Sequence, residues 1–381
     1  MIDGMESGLP FSALLSQAYV AFTIEFDNEF EHRVPHRTTE YGSPPGFPTA
    51  PWLVSMVMWL RFMRYIPLEG ITAADLQSHL AISNKGLQTW LARLGKWWGY
   101  LTIEDPAQPS GREDQALRTG SSRIPPGAVV RPRVGARKAI EVWQTLIPLM
   151  ETRWRERFGN QTVADLEDGL RKLAGQLDPA VPTWFPILEY ENEKSRAARV
   201  RLPPRELALP ELLAKTLLAF ASEFDSKSPA SLVVCANVLR ATPDSGIRVR
   251  DLPKLTYLAQ LGVADALRQL KQERQGSVQT DPSGGRAKLL RITPQARLAR
   301  DAYPSLAAHI ENDWKKRYSA DTVGQLRLSL EAIVGTRNGE PSPLLRGLTP
   351  YPDNWRSHLP QLEGLPHFPM VSHRGGFPDG S

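Results

Sequence analysis

The chain has 381 residues, 41% hydrophobic and 23% charged, with a formal net charge of +5, a globular balance that excludes disordered and collagen-like classes. Its most apolar run, 52–60, ends at Arg61, far short of the roughly 20 residues a membrane span needs, and no basic segment followed by an apolar stretch marks a secretory leader. A single cysteine, Cys235, excludes an internal disulfide framework and points to a reducing cytoplasm.

In chain order, Leu15, Tyr19, Phe22, Phe26 and Phe30 recur at three- and four-residue steps and predict a helix over 12–34 with one buried face. A proline-rich loop covers 35–51, and Pro51 is expected to open a second helix running to Tyr65. Thr72 can cap a short helix at 73–80, and Ser83 or Asn84 a longer one at 85–98. The turn between them has the length of a helix-turn-helix. Strands are expected at 100–103 and near 129–134, as a hairpin with a long irregular tip. A long helix at 136–157 and a last helix at 162–176 follow.

The same order then returns. Helices are expected at 207–225, 229–240, 249–257 and 260–274, strands at 276–280 and 287–292, and a long helix from Thr293 and Pro294 to Tyr318. Trp154-Arg-Glu-Arg157-Phe158 and Trp314-Lys-Lys-Arg317-Tyr318 lie 160 residues apart, as do Leu166 and Leu326. Gly70-Ile71 and Gly246-Ile247 lie 176 apart, and Phe22 and Phe220 lie 198 apart. The shrinking offset places two insertions in the first copy, at 35–51 and in its hairpin tip. Self-similarity of this kind marks a repeated structural unit. The domains are therefore 1–177, a proline-rich linker 178–206, a second copy 207–336, and an extended proline-rich arm 337–381. Pro182-Thr-Trp184-Phe185 faintly matches Pro366-His-Phe368-Pro369, so each copy is expected to end in an aromatic-bearing arm.

The order of helices, hairpin and closing helices resembles the MarR-type winged helix-turn-helix regulators. Residues carrying the resemblance are Asp251-Leu-Pro-Lys-Leu-Thr256, Ala266-Leu267-Arg-Gln-Leu270, the hairpin Val278 to Ile292, and the two Trp-x-x-Arg-aromatic closings. It implies a mostly α fold with small β-hairpin wings, duplicated in tandem. It also implies a DNA-binding transcriptional regulator acting as an intrachain pseudo-dimer, with double-stranded DNA as partner and room for a small-molecule effector and a homodimer. The alternative is a winged-helix scaffold that has lost operator binding and serves protein interaction or small-molecule sensing.

Duplex DNA demands cations for its phosphates and polar side chains for its base edges. With Leu87, Leu91 and Leu94 facing the core, Asn84, Lys85, Gln88, Thr89 and Arg93 point outward from the first recognition helix, and amide and ammonium groups suit adenine and guanine edges. The comparable set in copy two is Gln260, Ala264, Asp265 and Arg268, in which Asp265 is expected to repel phosphate. Basic residues flank both hairpins: Arg123, Arg131 and Arg133 in the first, Arg286, Lys288 and Arg291 in the second. Phe22, Phe26, Trp52, Trp59, Phe62 and Trp90 are assigned to the core in preference to an effector pocket. Cys235, in an apolar run, is expected to be an inert buried thiol. The scattered histidines, with no phosphate loop and no nucleophile elbow, give no basis for an enzyme, metal or cofactor.

Overall fold

The computed structural model describes residues 8–38, 42–80, 82–106, 124–185, 204–281, 285–335, 342–359 and 362–370. The fold is mostly helical with two small antiparallel sheets of three strands each. The first half runs α1 (Phe11–Arg33), α2 (Met56–Arg61), β1 (Ile71–Thr72), α3 (Ala73–Leu80), α4 (Asn84–Ala92), β2 (Leu101–Glu104), β3 (Val129–Pro132), α5 (Val134–Phe158) and α6 (Asn160–Ala174). The second runs α7 (Leu209–Lys227), α8 (Leu232–Val234, continued as a π-turn to Leu239), β4 (Ile247–Arg248), α9 (Leu252–Thr256), α10 (Gln260–Gln272), β5 (Gly276–Thr280), β6 (Lys288–Ile292), α11 (Pro294–Tyr318) and α12 (Ala320–Val334).

Two helix expectations are corrected. Pro51 does not open α2: residues 51–55 are extended, with the Arg37 N–H bonded to the Pro51 carbonyl and the Trp52 N–H to that of Trp98. The helix starts at Met56, whose N–H is held at 2.7 Å by the Asp27 carboxylate. Nor does α1 bury a single face. It is buried almost all round, polar residues Glu25, Asp27, Asn28, Glu29 and Glu31 included. Apart from Arg33, one turn beyond Glu29 on the same helix, their main partners come from distant segments, so the helix pattern carries no trace of them. Arg153 and Tyr351 hold Glu29; Arg356 holds Glu31; Asn28 and Asn354 exchange bonds with the backbone at Leu348 and Asn28. Such pairing is required, because a buried polar group without a partner costs more than the bond it could have made.

α1 packs beside α7, and α6 beside α12, so the two halves share one apolar core. The same contacts recur on either side. Trp154 Nε1 donates to Glu25 and Trp314 Nε1 to Glu223; Arg157 makes two bonds to Glu25, and Arg317 two to Glu223. Phe22 meets Trp154 edge-on at 5.3 Å and Phe220 meets Trp314 at 5.4 Å. Asp225 holds the Leu232 N–H at 2.6 Å, as Asp27 holds Met56.

The sheets have matching order, β1-β3-β2 and β4-β6-β5, with Val130 opposite Ile71 and Leu290 opposite Ile247. The two-residue strands β1 and β4 have no counterpart among the expected elements, being too short to show alternation. Each follows a glycine of positive φ, Gly70 (+94°) and Gly246 (+87°); a Cβ on Gly246 would lie 2.6 Å from the Leu290 carbonyl oxygen. Only glycine combines that turn with so close a backbone approach.

The end of each half folds back over the core. After α6, Lys215 of α7 holds the carbonyls of Asp178 and Val181, and Trp184 lies 4.6 Å beneath the Arg61 guanidinium. After α12, Gln17 of α1 holds the Leu365 carbonyl, and Asn237 clamps the backbone at Phe368. Gln17 and Lys215 are 198 residues apart, and Arg61 and Asn237 are 176 apart, the offsets of the repeated segments. Phe185 and Phe368 meet at 5.7 Å where the arms converge.

Five of the six assigned aromatics sit in the core: Phe22, Phe26, Trp59, Phe62 and Trp90 are at most 1% exposed, and Phe62 stacks on Trp90 at 5.3 Å, whereas Trp52 is only partly buried at the core's edge, 5.1 Å from the Arg37 guanidinium. Among the described residues no helix is long and apolar enough to cross a membrane.

Candidate nucleic-acid interface

The helix α4 begins where Ser83 accepts the Gly86 N–H at 3.0 Å, a side-chain cap on a free first-turn donor. Leu87, Trp90 and Leu91 turn inward, which leaves Asn84, Lys85 and Thr89 exposed. The Thr89 hydroxyl bonds the Lys85 carbonyl at 3.0 Å. Gln88 has a different task from the one its position suggests. Its Nε2 donates to the Ile124 carbonyl at 2.9 Å and its Oε1 accepts the Ile124 N–H at 2.8 Å, so both ends of the amide hold the chain entering β3. Arg93 is partly buried at the start of the π-turn that closes the helix.

In the first hairpin, Arg123 lies outside the described residues. Arg131 pairs with Glu104 across the β2–β3 ladder at 3.2 Å, and Arg133 donates to the Leu101 carbonyl at 2.8 Å. Both cations are therefore spent, at least in part, within the sheet. The pair Arg131–Glu104 leaves no mark in the local sequence pattern, because the register of β2 against β3 depends on closure of a long hairpin.

The helix α10 presents Gln260 and Ala264 to solvent. Asp265 corrects the expectation of an outward carboxylate: its side chain is 8% exposed and pairs with Arg268 at 2.6 Å. The pair lies at an i, i+3 step, where helical neighbours meet. Arg286, Lys288 and Arg291 of the second hairpin are exposed, and no ion pair among the described residues engages them. Arg248 pairs with Asp281 at the hairpin's base at 2.9 Å.

Elsewhere, Cys235 is fully buried and burial pushes its thiol up to about 12, which disfavours the reactive thiolate. Burial and the nearby Arg240 push His367 down to about 3, so its imidazole stays neutral. Among the described residues no cluster of three His, Cys, Asp or Glu side chains could hold a metal ion. No family model, curated protein or solved structure matches the chain.

Proposed function

We propose that the chain is a DNA-binding transcriptional regulator of the cytoplasm, two MarR-like winged helix-turn-helix units fused in tandem and acting as an intrachain pseudo-dimer. The supporting observation is the recurrence, in each half, of one arrangement. A short helix and a second helix of nine or more residues lead into a hairpin, and the long helix that follows is locked to the first by a Glu–Trp–Arg cluster. Packing of α1 on α7 and of α6 on α12 supplies the contact that two-fold regulators obtain from a second chain.

In this reading Asn84 and Lys85 approach base edges from the N-terminal end of α4, while hairpin cations meet the backbone. The tie between Gln88 and Ile124 favours the second reading, a scaffold whose reading face is partly committed to its own chain. Titrating a fluorescent random-sequence duplex with the full chain at several salt concentrations separates the two. Submicromolar binding that weakens linearly in log salt supports the regulator; no duplex binding at about 50 mM salt, a condition that favours phosphate contacts, leaves the scaffold.

A further inference from the structure

Matched positions in the two halves differ in a consistent way. The ladders equate Val130 with Leu290, and hence Pro126 with Arg286, Ala128 with Lys288, and Arg131 with Arg291. Ala128 is fully buried where Lys288 is exposed. Arg131 faces Glu104 two places along the neighbouring strand, whereas the corresponding neighbour of Arg291 is Gln279, an uncharged amide bonded to Ser277. At these three matched positions the second hairpin carries three cations where the first carries one, and that one is neutralised by its own sheet.

The helices differ in the opposite sense. Gly70 and Gly246 set a step of 176 residues, which equates Asn84 with Gln260, Lys85 with Leu261, Gln88 with Ala264 and Thr89 with Asp265. The first helix has an exposed amide and ammonium at its N-terminal end. In the second, Leu261 replaces the ammonium, and the carboxylate at 265 is buried against Arg268.

We infer that the two halves divide the work on one duplex: α4 reads bases at a single half-site, and the second hairpin grips phosphates without regard to sequence. The inference rests on the DNA-binding reading above and adds to it the class of site, an operator without two-fold symmetry. A protein whose halves were equivalent readers would select inverted repeats. Here the exposed amide–ammonium pair occurs once, since Gln260 keeps the amide but Leu261 stands where Lys85 does, so the selected sequence is one short block, flanked on one side by duplex of arbitrary sequence.

The test is selection of bound sites from a random library of roughly 30 base pairs, close to three turns of duplex, with the full chain, followed by salt titrations of two variants. Expected is a single motif with no inverted partner. The triple change Arg286→Ala, Lys288→Ala and Arg291→Ala should weaken all sequences alike and flatten the log affinity–log salt slope by about 0.9 for each phosphate no longer neutralised. The double change Asn84→Ala and Lys85→Ala should instead cut the preference for the motif roughly ten-fold or more. All five side chains are exposed, and unchanged denaturation midpoints check that neither variant is misfolded. An inverted-repeat motif, or an unchanged salt slope in the triple variant, overturns the division of labour while DNA binding stands. No duplex binding by the unmodified chain overturns the DNA-binding reading itself.

Discussion

Asn237 holds the backbone of Phe368 from both sides: Nδ2 donates to its carbonyl at 2.8 Å and Oδ1 accepts its N–H at 3.2 Å. The same Oδ1 accepts the His367 N–H at 3.1 Å. Asn237 is fully buried at the π-turn after α8, so these bonds fasten the C-terminal arm to the second half where water cannot replace them.

Asn237→Ala should therefore leave two buried backbone groups of Phe368 and the partly buried His367 N–H without this partner, and destabilise the chain by about 2–4 kcal/mol. Urea denaturation of the full chain followed by tryptophan fluorescence checks this. A midpoint equal to the parent's would show that the arm is not fastened there.

A second prediction concerns pH. Burial opposes ionisation of Glu223, but hydrogen bonds from Arg317, Trp314 and Lys227 outweigh it and hold its pKa down at about 2. A depressed carboxylate contributes stability that is complete above its unfolded value, near 4.5, and is lost as pH falls through about 2. Glu223→Gln should lower stability at neutral pH by about 1 kcal/mol through weaker charge-assisted bonds. The gap between parent and variant should narrow progressively from pH 4.5 downward. Thermal melts at neutral pH and at about pH 4 and 3, inside that window, measure it; a gap that widens with acid would refute the assignment.

The third pairs two arginines 176 residues apart. Arg64, 11% exposed, bonds the carboxylate of Glu211, 6% exposed, and the Tyr65 hydroxyl. Arg240 occupies the matched place but donates to the Ala236 carbonyl, and burial pushes its pKa down; no carboxylate among the described residues pairs with it. Residue 13, the α1 counterpart of Glu211, is alanine. Arg64→Met should cost about 3–5 kcal/mol, because it strands a buried charge. Arg240→Met should stay within about 1 kcal/mol of the parent, since it removes a cation that had no charged partner. Similar losses in both variants, read from denaturant midpoints, would contradict this difference.

Gly246→Ala should be more harmful than an exposed glycine change. Its φ of +87° is costly for an L-residue, and the added carbon would lie 2.6 Å from the Leu290 carbonyl oxygen. A loss of at least about 1–2 kcal/mol is expected, with protection falling first at β4 and β6 in hydrogen exchange. Gly285→Ala is the control: φ there is also positive, but a Cβ would meet nothing within 4 Å, so the pair separates the dihedral cost from the clash.

Much of the helix order is legible in the sequence. Ser83 and Thr293 cap where their types suggest, and apolar spacing locates α6 and α10 to within a few residues, whereas α4, expected to run to 98, gives way to a π-turn after Ala92. The candidate site is legible in part. Period and capping put Asn84 and Lys85 outward, but do not show that Gln88 is occupied by Ile124 or Arg131 by Glu104. Both partners arrive across the first hairpin, and local periodicity carries no information on what a distant strand brings. Asp265 departs from its expected exposure because a carboxylate on a charge-rich helix faces water by default, whereas here Arg268, three residues on, covers it.

The Trp154 and Trp314 segments show the division most clearly. Sequence alone showed that the Trp154 and Trp314 segments match each other at a spacing of 160 residues, since recurring side chains need no coordinates to be counted. Capping and apolar period, which are local, also located most of the helices, though not the start of α2. Tertiary structure decided the rest: that Glu25 and Glu223 receive those indoles, that α1 is enclosed on every side, and that both arms cross the core. These are contacts between segments far apart in the chain, formed only once burial makes each polar group seek a partner.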